Sequence, residues 1–125
     1  LRTSPARGKW AEDRAARYLA ESLGWKLRAR NVRLAGGEID LVFRDGDVEV
    51  FVEVKARRAG SRAAAEAVSV DKRRRVARAA AAWLSRRGLP RGGCRFDVVA
   101  VAGQGPDTEV RHIRHAFEAP DRWGI

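Results

Sequence analysis

The sequence predicts an α/β domain in which a mixed central β-sheet is flanked by helices. Three observations lead there. A turn signal, Asp45-Gly46, separates two runs of alternating hydrophobicity, a long amphipathic helical stretch follows them, and a near-continuous apolar run, Arg95 to Val101, follows that stretch. Strand, helix and strand in this order describe a right-handed crossover between parallel neighbours. An apolar run without alternation is expected of a strand covered on both faces.

A first helix is expected from about Gly8 to Leu23, where Ala11, Ala15, Ala16, Leu19 and Leu23 make an apolar stripe at helical spacing and Gly24 ends it. A strand from about Trp25 to Val32 follows. Next comes a hairpin, Glu38 to Phe43 and Val48 to Lys55, because Asp-Gly between alternating runs is among the stronger short-range hairpin signals. After a loop rich in Arg, Ala and Gly, a second helix runs from about Ser69 to Arg87, with Ser69 as its N-cap and Gly88 and Pro90 as its stop. Arg95 to Val101 is the central strand, and Glu109 to Arg114 reads as a last, edge strand.

A chain of 125 residues with 45% apolar content suits one globular domain with a single core, here about residues 8 to 114. The apolar runs fall well short of the roughly 18–20 residues that cross a bilayer. No signal peptide is visible, since Leu1 to Pro5 lead straight into a charged segment. The single cysteine, Cys94, cannot build an internal disulfide framework, and no Cys/His cluster has zinc spacing. The expectation is a cytoplasmic protein without a membrane partner. Twenty-six Lys and Arg against 16 Asp and Glu give a net charge of +10. Nucleic acid is the partner class this balance points to, because guanidinium forks bind phosphate oxygens in pairs.

The hairpin carries the chemistry. With Asp45-Gly46 as a two-residue loop, Phe43 faces Val48, Leu41 faces Val50 and Ile39 faces Val52, so all six apolar side chains share one face. The other face then carries Glu38, Asp40 and Val42 on one strand and Glu49, Phe51, Glu53 and Lys55 on the next. In this register Asp40 lies opposite Phe51 and diagonal to Glu53, with Cα atoms ~7–8 Å apart. Two carboxylates so placed can lean onto one hard cation. Mg²⁺, or Mn²⁺ in its place, suits such a site, since it takes one or two carboxylates and completes its shell with water and phosphate. Lys55, on the same face, can orient or deprotonate a water or stabilise phosphate charge. Glu12 and Lys72 sit at the ends of the two helical stripes and can reach the same site, Glu12 as a further carboxylate and Lys72 as a phosphate holder. Arg57, Arg58, Arg73 and Arg74 are candidate phosphate clamps. Taken alone, the Glu-Val-Lys pattern also describes an ordinary solvated hairpin face.

These residues together are similar to a known group. The chain resembles the YraN-like bacterial proteins of the PD-(D/E)XK nuclease superfamily through Gly8 to Gly24 with Glu12, Asn31 to Arg33, Gly37-Glu38-Ile39-Asp40-Leu41, Phe51-Val52-Glu53-Val54-Lys55, Lys72 with its helix, and Arg95-Phe96-Asp97. The resemblance implies a restriction-endonuclease-like core, with Asp40 as the metal-binding acid, Glu53 as the second acid, Lys55 as the catalytic lysine and the Val54 carbonyl as a further ligand. Archaeal Holliday-junction resolvases of that superfamily add a glutamate from the first helix, which Glu12 matches, and they act as dimers, which implies a homodimer. Ile39 stands where the superfamily often has Pro, as is usual in this group. No role follows for Asp97 beyond a choice between a structural hydrogen bond and function. The function expected is metal-dependent, structure-selective cleavage of DNA. The alternative is a nucleic-acid-binding module in repair, recombination or uptake that holds its ligand without cutting it.

Overall fold

The computed structural model describes residues 5–58, 68–103 and 105–119. Its elements are α1 (Pro5–Arg17) continued by a π-helical turn (Tyr18–Ser22), β1 (Lys26–Leu34), β2 (Gly37–Asp45), β3 (Val48–Arg57), α2 (Val70–Arg87), β4 (Cys94–Ala102) and β5 (Glu109–Phe117). The five strands form one sheet in the order β1-β2-β3-β4-β5. Only the β3–β4 pair is parallel, and α2 connects its strands, as the strand–helix–strand pattern requires. The domain is thus an α/β fold with a mixed sheet and a restriction-endonuclease-like core. Among the described residues no helix is long and apolar enough to cross a membrane.

The two helices cover opposite faces. Ala11, Ala15, Ala16 and Leu19 of α1 and its π-turn pack on Leu41, Phe43, Val50, Val52, Val99 and Val101. Val76, Ala77, Ala79, Ala80 and Trp83 of α2 pack on Val42, Phe51, Phe96 and Val98. The small residues of both stripes let the helices lie close to the sheet. The Ser69 side chain accepts a hydrogen bond from Lys72 N–H at 3.1 Å and starts α2, and Gly88, at φ +84°, ends it. β4 is buried from Phe96 to Val101, in keeping with its place between two strands under two layers.

The hairpin differs from the sequence-based register. Asp45 pairs with Val48, so the two loop residues are Gly46 and Asp47 rather than Asp45 and Gly46. The first loop residue takes φ +58°, a conformation glycine adopts without steric cost and aspartate does not. The amide of Gly92 holds the new loop by donating to the Asp47 carbonyl at 2.9 Å. Every partner on β3 therefore moves by two residues: Phe43 faces Val50 and Leu41 faces Val52. An even shift preserves the faces while changing the neighbours. The ladder ends at Leu41–Val52, and the same register one residue further sets Asp40 opposite Glu53, not Phe51.

A second correction concerns Ile39. It packs in the core under α2, together with Val42, whereas Leu41 and Phe43 pack under α1. The alternation of β2 breaks at Asp40. On β1, Asn31 lies between the pairs Arg30–Leu41 and Val32–Ile39 and has φ +51°, the left-handed region that asparagine tolerates better than most residues. The two neighbouring strands turn over together at this point, and the site is built there.

Candidate functional site

Asp40 occupies the place where β2 parts from β3. Beyond Leu41–Val52 the backbone of β2 no longer serves β3, and the Asp40 carboxylate takes over, accepting from the Val54 amide through Oδ2 at 2.8 Å. Glu53 is the other acid. It is 8% exposed, and its Oε1 is buried without a hydrogen-bond donor. Its Oε2 lies 3.7 Å from Lys72 Nζ. Burial, together with the charge and proximity of Asp40, pushes the Glu53 carboxyl up to about 9, against the pull of Lys72 and Lys55. Without a cation the Glu53 carboxyl keeps its proton at neutral pH.

The other site residues expected from sequence converge on this pair. Glu12 reaches it from α1: burial and the nearby Asp40 charge raise its carboxyl, while Arg30 and the Asn31 side chain oppose that rise. Lys55 follows on β3, its ammonium lowered by burial and by Arg57, partly offset by Glu53. Lys72 comes from α2. Burial works against its charge, but Glu53, Glu38 and Asp40 outweigh it and raise its pKa. Lys72 Nζ donates to Glu38 Oε1 at 2.9 Å. Glu38 also lies 3.7 Å from Arg75, and its carboxyl is lowered chiefly by the Lys72 hydrogen bond and charge.

The candidate clamps separate. Arg57 lies on β3 close to Lys55, and Arg58 is exposed just beyond the strand. Arg74 is exposed on α2. Arg73 turns to the other side of the helix, where its Nε donates to the Val68 carbonyl at 2.9 Å and its guanidinium sits 5.9 Å from the Phe117 ring centre. Trp25 and Trp83 are buried in the core. Sequence reasoning missed two participants as site residues, Glu38 and Asn31. Glu38 shares a strand face with Asp40, and asparagine within a strand is the mark of Asn31.

Asp97 resolves as structural. It is fully buried, takes a two-pronged hydrogen bond from Arg95 (2.8 and 3.1 Å), contacts His112 Nε2 at 2.8 Å and accepts from the His115 amide at 3.0 Å. Burial alone would raise its carboxyl, yet these partners bring it below its ordinary value. It lies on the α1 face with Val99 and Val101, and it ties β4 to the bulge of β5.

Among the described residues no group of three or more His, Cys, Asp or Glu side chains is arranged as a metal cage. The donor set still fits a hard cation of Mg²⁺ type. Such an ion needs only one or two carboxylates, and Glu53 Oε1 is an oxygen taken out of water with nothing to meet it.

An α/β sheet that opens at a pair of acids between two lysines defines the class of domain. The relatives are more particular. Residues 11–101 match the profile of the family described as Uncharacterised protein family UPF0102. The chain is 47% identical over 113 residues to a UPF0102 protein of Geobacter sulfurreducens, covering 89% of this chain and 88% of that one. It is 46% identical over 120 residues to one of Dechloromonas aromatica, covering 95% and 94%, and 49% identical over 116 residues to one of Symbiobacterium thermophilum, covering 90% and 96%. The chain belongs to the UPF0102 family, the YraN-like group its motifs resemble.

Proposed function

We propose that this protein is a metal-dependent endonuclease that hydrolyses phosphodiester bonds in DNA, selecting structure rather than sequence. The observation that carries the reading is the buried Glu53 carboxylate, one oxygen without a donor, beside Asp40 and between Lys55 and Lys72. A buried acid with a raised pKa beside a second acid needs compensation, and such perturbed groups cluster at functional sites. The net charge of +10 supplies the field that draws a polyanion to it.

Asp40, Glu53 and the Val54 carbonyl would hold Mg²⁺ or Mn²⁺, which when bound polarises a phosphodiester and lowers the pKa of water. The remaining work belongs to the chain. Lys55, whose ammonium pKa is lowered, orients the attacking water and, as the free amine, takes its proton. Lys72 keeps its proton and offsets negative charge gathering on the phosphate. Glu12 offers a further carboxylate on the α1 side. Arg57, Arg58 and Arg74 contact backbone phosphates, which positions DNA without reading its bases.

One observation favours a second reading. The same net charge of +10 suits a module that binds nucleic acid without cutting it. The deciding experiment uses labelled branched, flapped, single-stranded and linear DNA with Mn²⁺, Mg²⁺ or EDTA, on the wild type, Glu53→Ala and Lys55→Ala. Cutting that needs metal and is lost in both variants supports the nuclease. Salt-sensitive binding without cutting on every substrate supports the module.

A further inference from the structure

The turn between β1 and β2 and the first turns of α2 enclose a concavity of about 380 Å³. Its floor is the bare backbone of Gly36-Gly37, and Arg33 and Arg75 stand on its walls. Arg78 hangs over it: its Nη1 lies 3.6 Å from the point where a Gly36 side chain would begin. The shape is fixed by packing. A Cβ on Gly37 would overlap the Arg75 carbonyl oxygen and lie 2.9 Å from Ala79 N, so the turn is pressed directly onto the helix backbone. The one carboxylate on the wall, Glu38, is already engaged by Lys72 at 2.9 Å and approached by Arg75 at 3.7 Å. Two arginines therefore line a hollow whose single acid is already paired, with Arg78 beside Gly36 at its edge.

We propose that this hollow is a phosphate subsite that grips the nucleic-acid strand next to the reacting phosphate. Guanidinium forks match the paired oxygens of a phosphodiester, and the net charge of +10 favours a polyanion as their ligand. Gly36, exposed and without a side chain, permits close backbone approach, while Gly37 lets the turn sit on α2. The placement follows from the wiring: Lys72 touches Glu38 on the subsite wall and lies 3.7 Å from Glu53 in the acid pair. A strand crossing the acid pair thus meets the subsite at a neighbouring nucleotide. The location relative to the reacting phosphate rests on the nuclease reading, whereas the phosphate-binding property does not.

The test measures binding in EDTA, where no cutting occurs. Fluorescence anisotropy with a labelled DNA duplex and a labelled single strand is recorded over a range of salt for the wild type, Arg33→Ala/Arg75→Ala and Arg86→Ala/Arg111→Ala. All four arginines are exposed, so neither double variant is expected to disturb the fold, and both remove equal charge. The expected result is a drop of about 1 in the slope of log affinity against log salt for the subsite variant, with a clearly smaller change in the control. Arg33→Lys/Arg75→Lys is expected to keep most of the slope, because a point charge still neutralises a phosphate. Inorganic phosphate should displace the labelled DNA from the wild type at a lower concentration than chloride does. Equal losses in the two alanine variants would overturn the subsite and leave only general surface charge. Failure of the nuclease reading shows up separately, as absence of cutting in Mg²⁺ or Mn²⁺ with this binding difference intact.

Discussion

Glu53→Gln makes the metal-free protein more stable at alkaline pH and removes a pH dependence that the wild type shows. The folded state raises the Glu53 carboxyl from 4.5 to about 9. Between those values the folded chain holds a proton that the unfolded chain has lost, so its stability falls as pH rises, by at most about 1.4 kcal/mol per pH unit. Below the lower value the penalty is absent. Near pH 7.5 it amounts to about 4 kcal/mol. Glutamine does not titrate, but its amide inherits the buried Oε1 position without a partner and weakens the contact with Lys72. Those losses offset about 1–3 kcal/mol of the gain. The net expectation is a stabilisation of about 1–3 kcal/mol near pH 7.5 that shrinks to zero or reverses near pH 5. The assay is urea unfolding in EDTA at a series of pH values. Added Mn²⁺ should lift the wild type at high pH and leave the variant unmoved, since a ligand stabilises only the state that binds it. Parallel pH profiles for the two proteins would refute the reasoning, because they would mean that the buried acid carries no proton.

Three further outcomes follow from the packing. Gly37→Ala should lower stability by about 2–4 kcal/mol in chemical denaturation, since its Cβ meets backbone atoms of Arg75 and Ala79 that cannot swing aside. Asp97→Asn should cost about 3–5 kcal/mol near neutral pH, because it strands Arg95 beside a neutral group in a buried network. Burial opposes the Asp97 charge, but His112, Arg95 and the His115 amide lower its carboxyl. The wild type therefore loses this contribution as pH falls below the ordinary aspartate value of 3.8, and the variant's acid limb should be flatter in a pH titration of unfolding. Trp83→Phe should cost about 1–3 kcal/mol by thermal unfolding: the indole donates to Glu49 Oε2 at 2.7 Å, and Glu49 is 1% exposed.

The strand faces were legible in the sequence because side chains alternate with a strict period of two, so Leu41, Phe43, Val50 and Val52 could be placed together before any register was known. The loop was not. Asp-Gly reads most simply as the loop itself, yet the chain sets Gly46 first because only that position takes a positive φ. The two-residue shift left the faces intact and moved Asp40 opposite Glu53, so the acid pair was legible while its separation was not. The inversion at Asp40 was hidden from any pattern that assumes an unbroken strand. It coincides with the left-handed Asn31 on the neighbouring strand, a feature of paired segments rather than of one local pattern. Glu12 and Lys72 could be placed near the acids because a charge in line with an apolar helical stripe can reach toward the sheet. Arg73 misled for the opposite reason: one position along α2 turns a side chain about 100°, away from the acids and onto Phe117.

The claim on which the rest depends is that Asp40 and Glu53 together form a cation site. Isothermal titration of Mn²⁺ into the metal-free wild type, Asp40→Asn and Glu53→Gln, in buffers of differing ionisation enthalpy, tests it without reference to any substrate. The expected result is a saturable site in the wild type that releases on the order of one proton on binding, from Glu53, and no such site in either variant. Equal Mn²⁺ binding by all three proteins, or saturable binding by the wild type with no proton released, would contradict it.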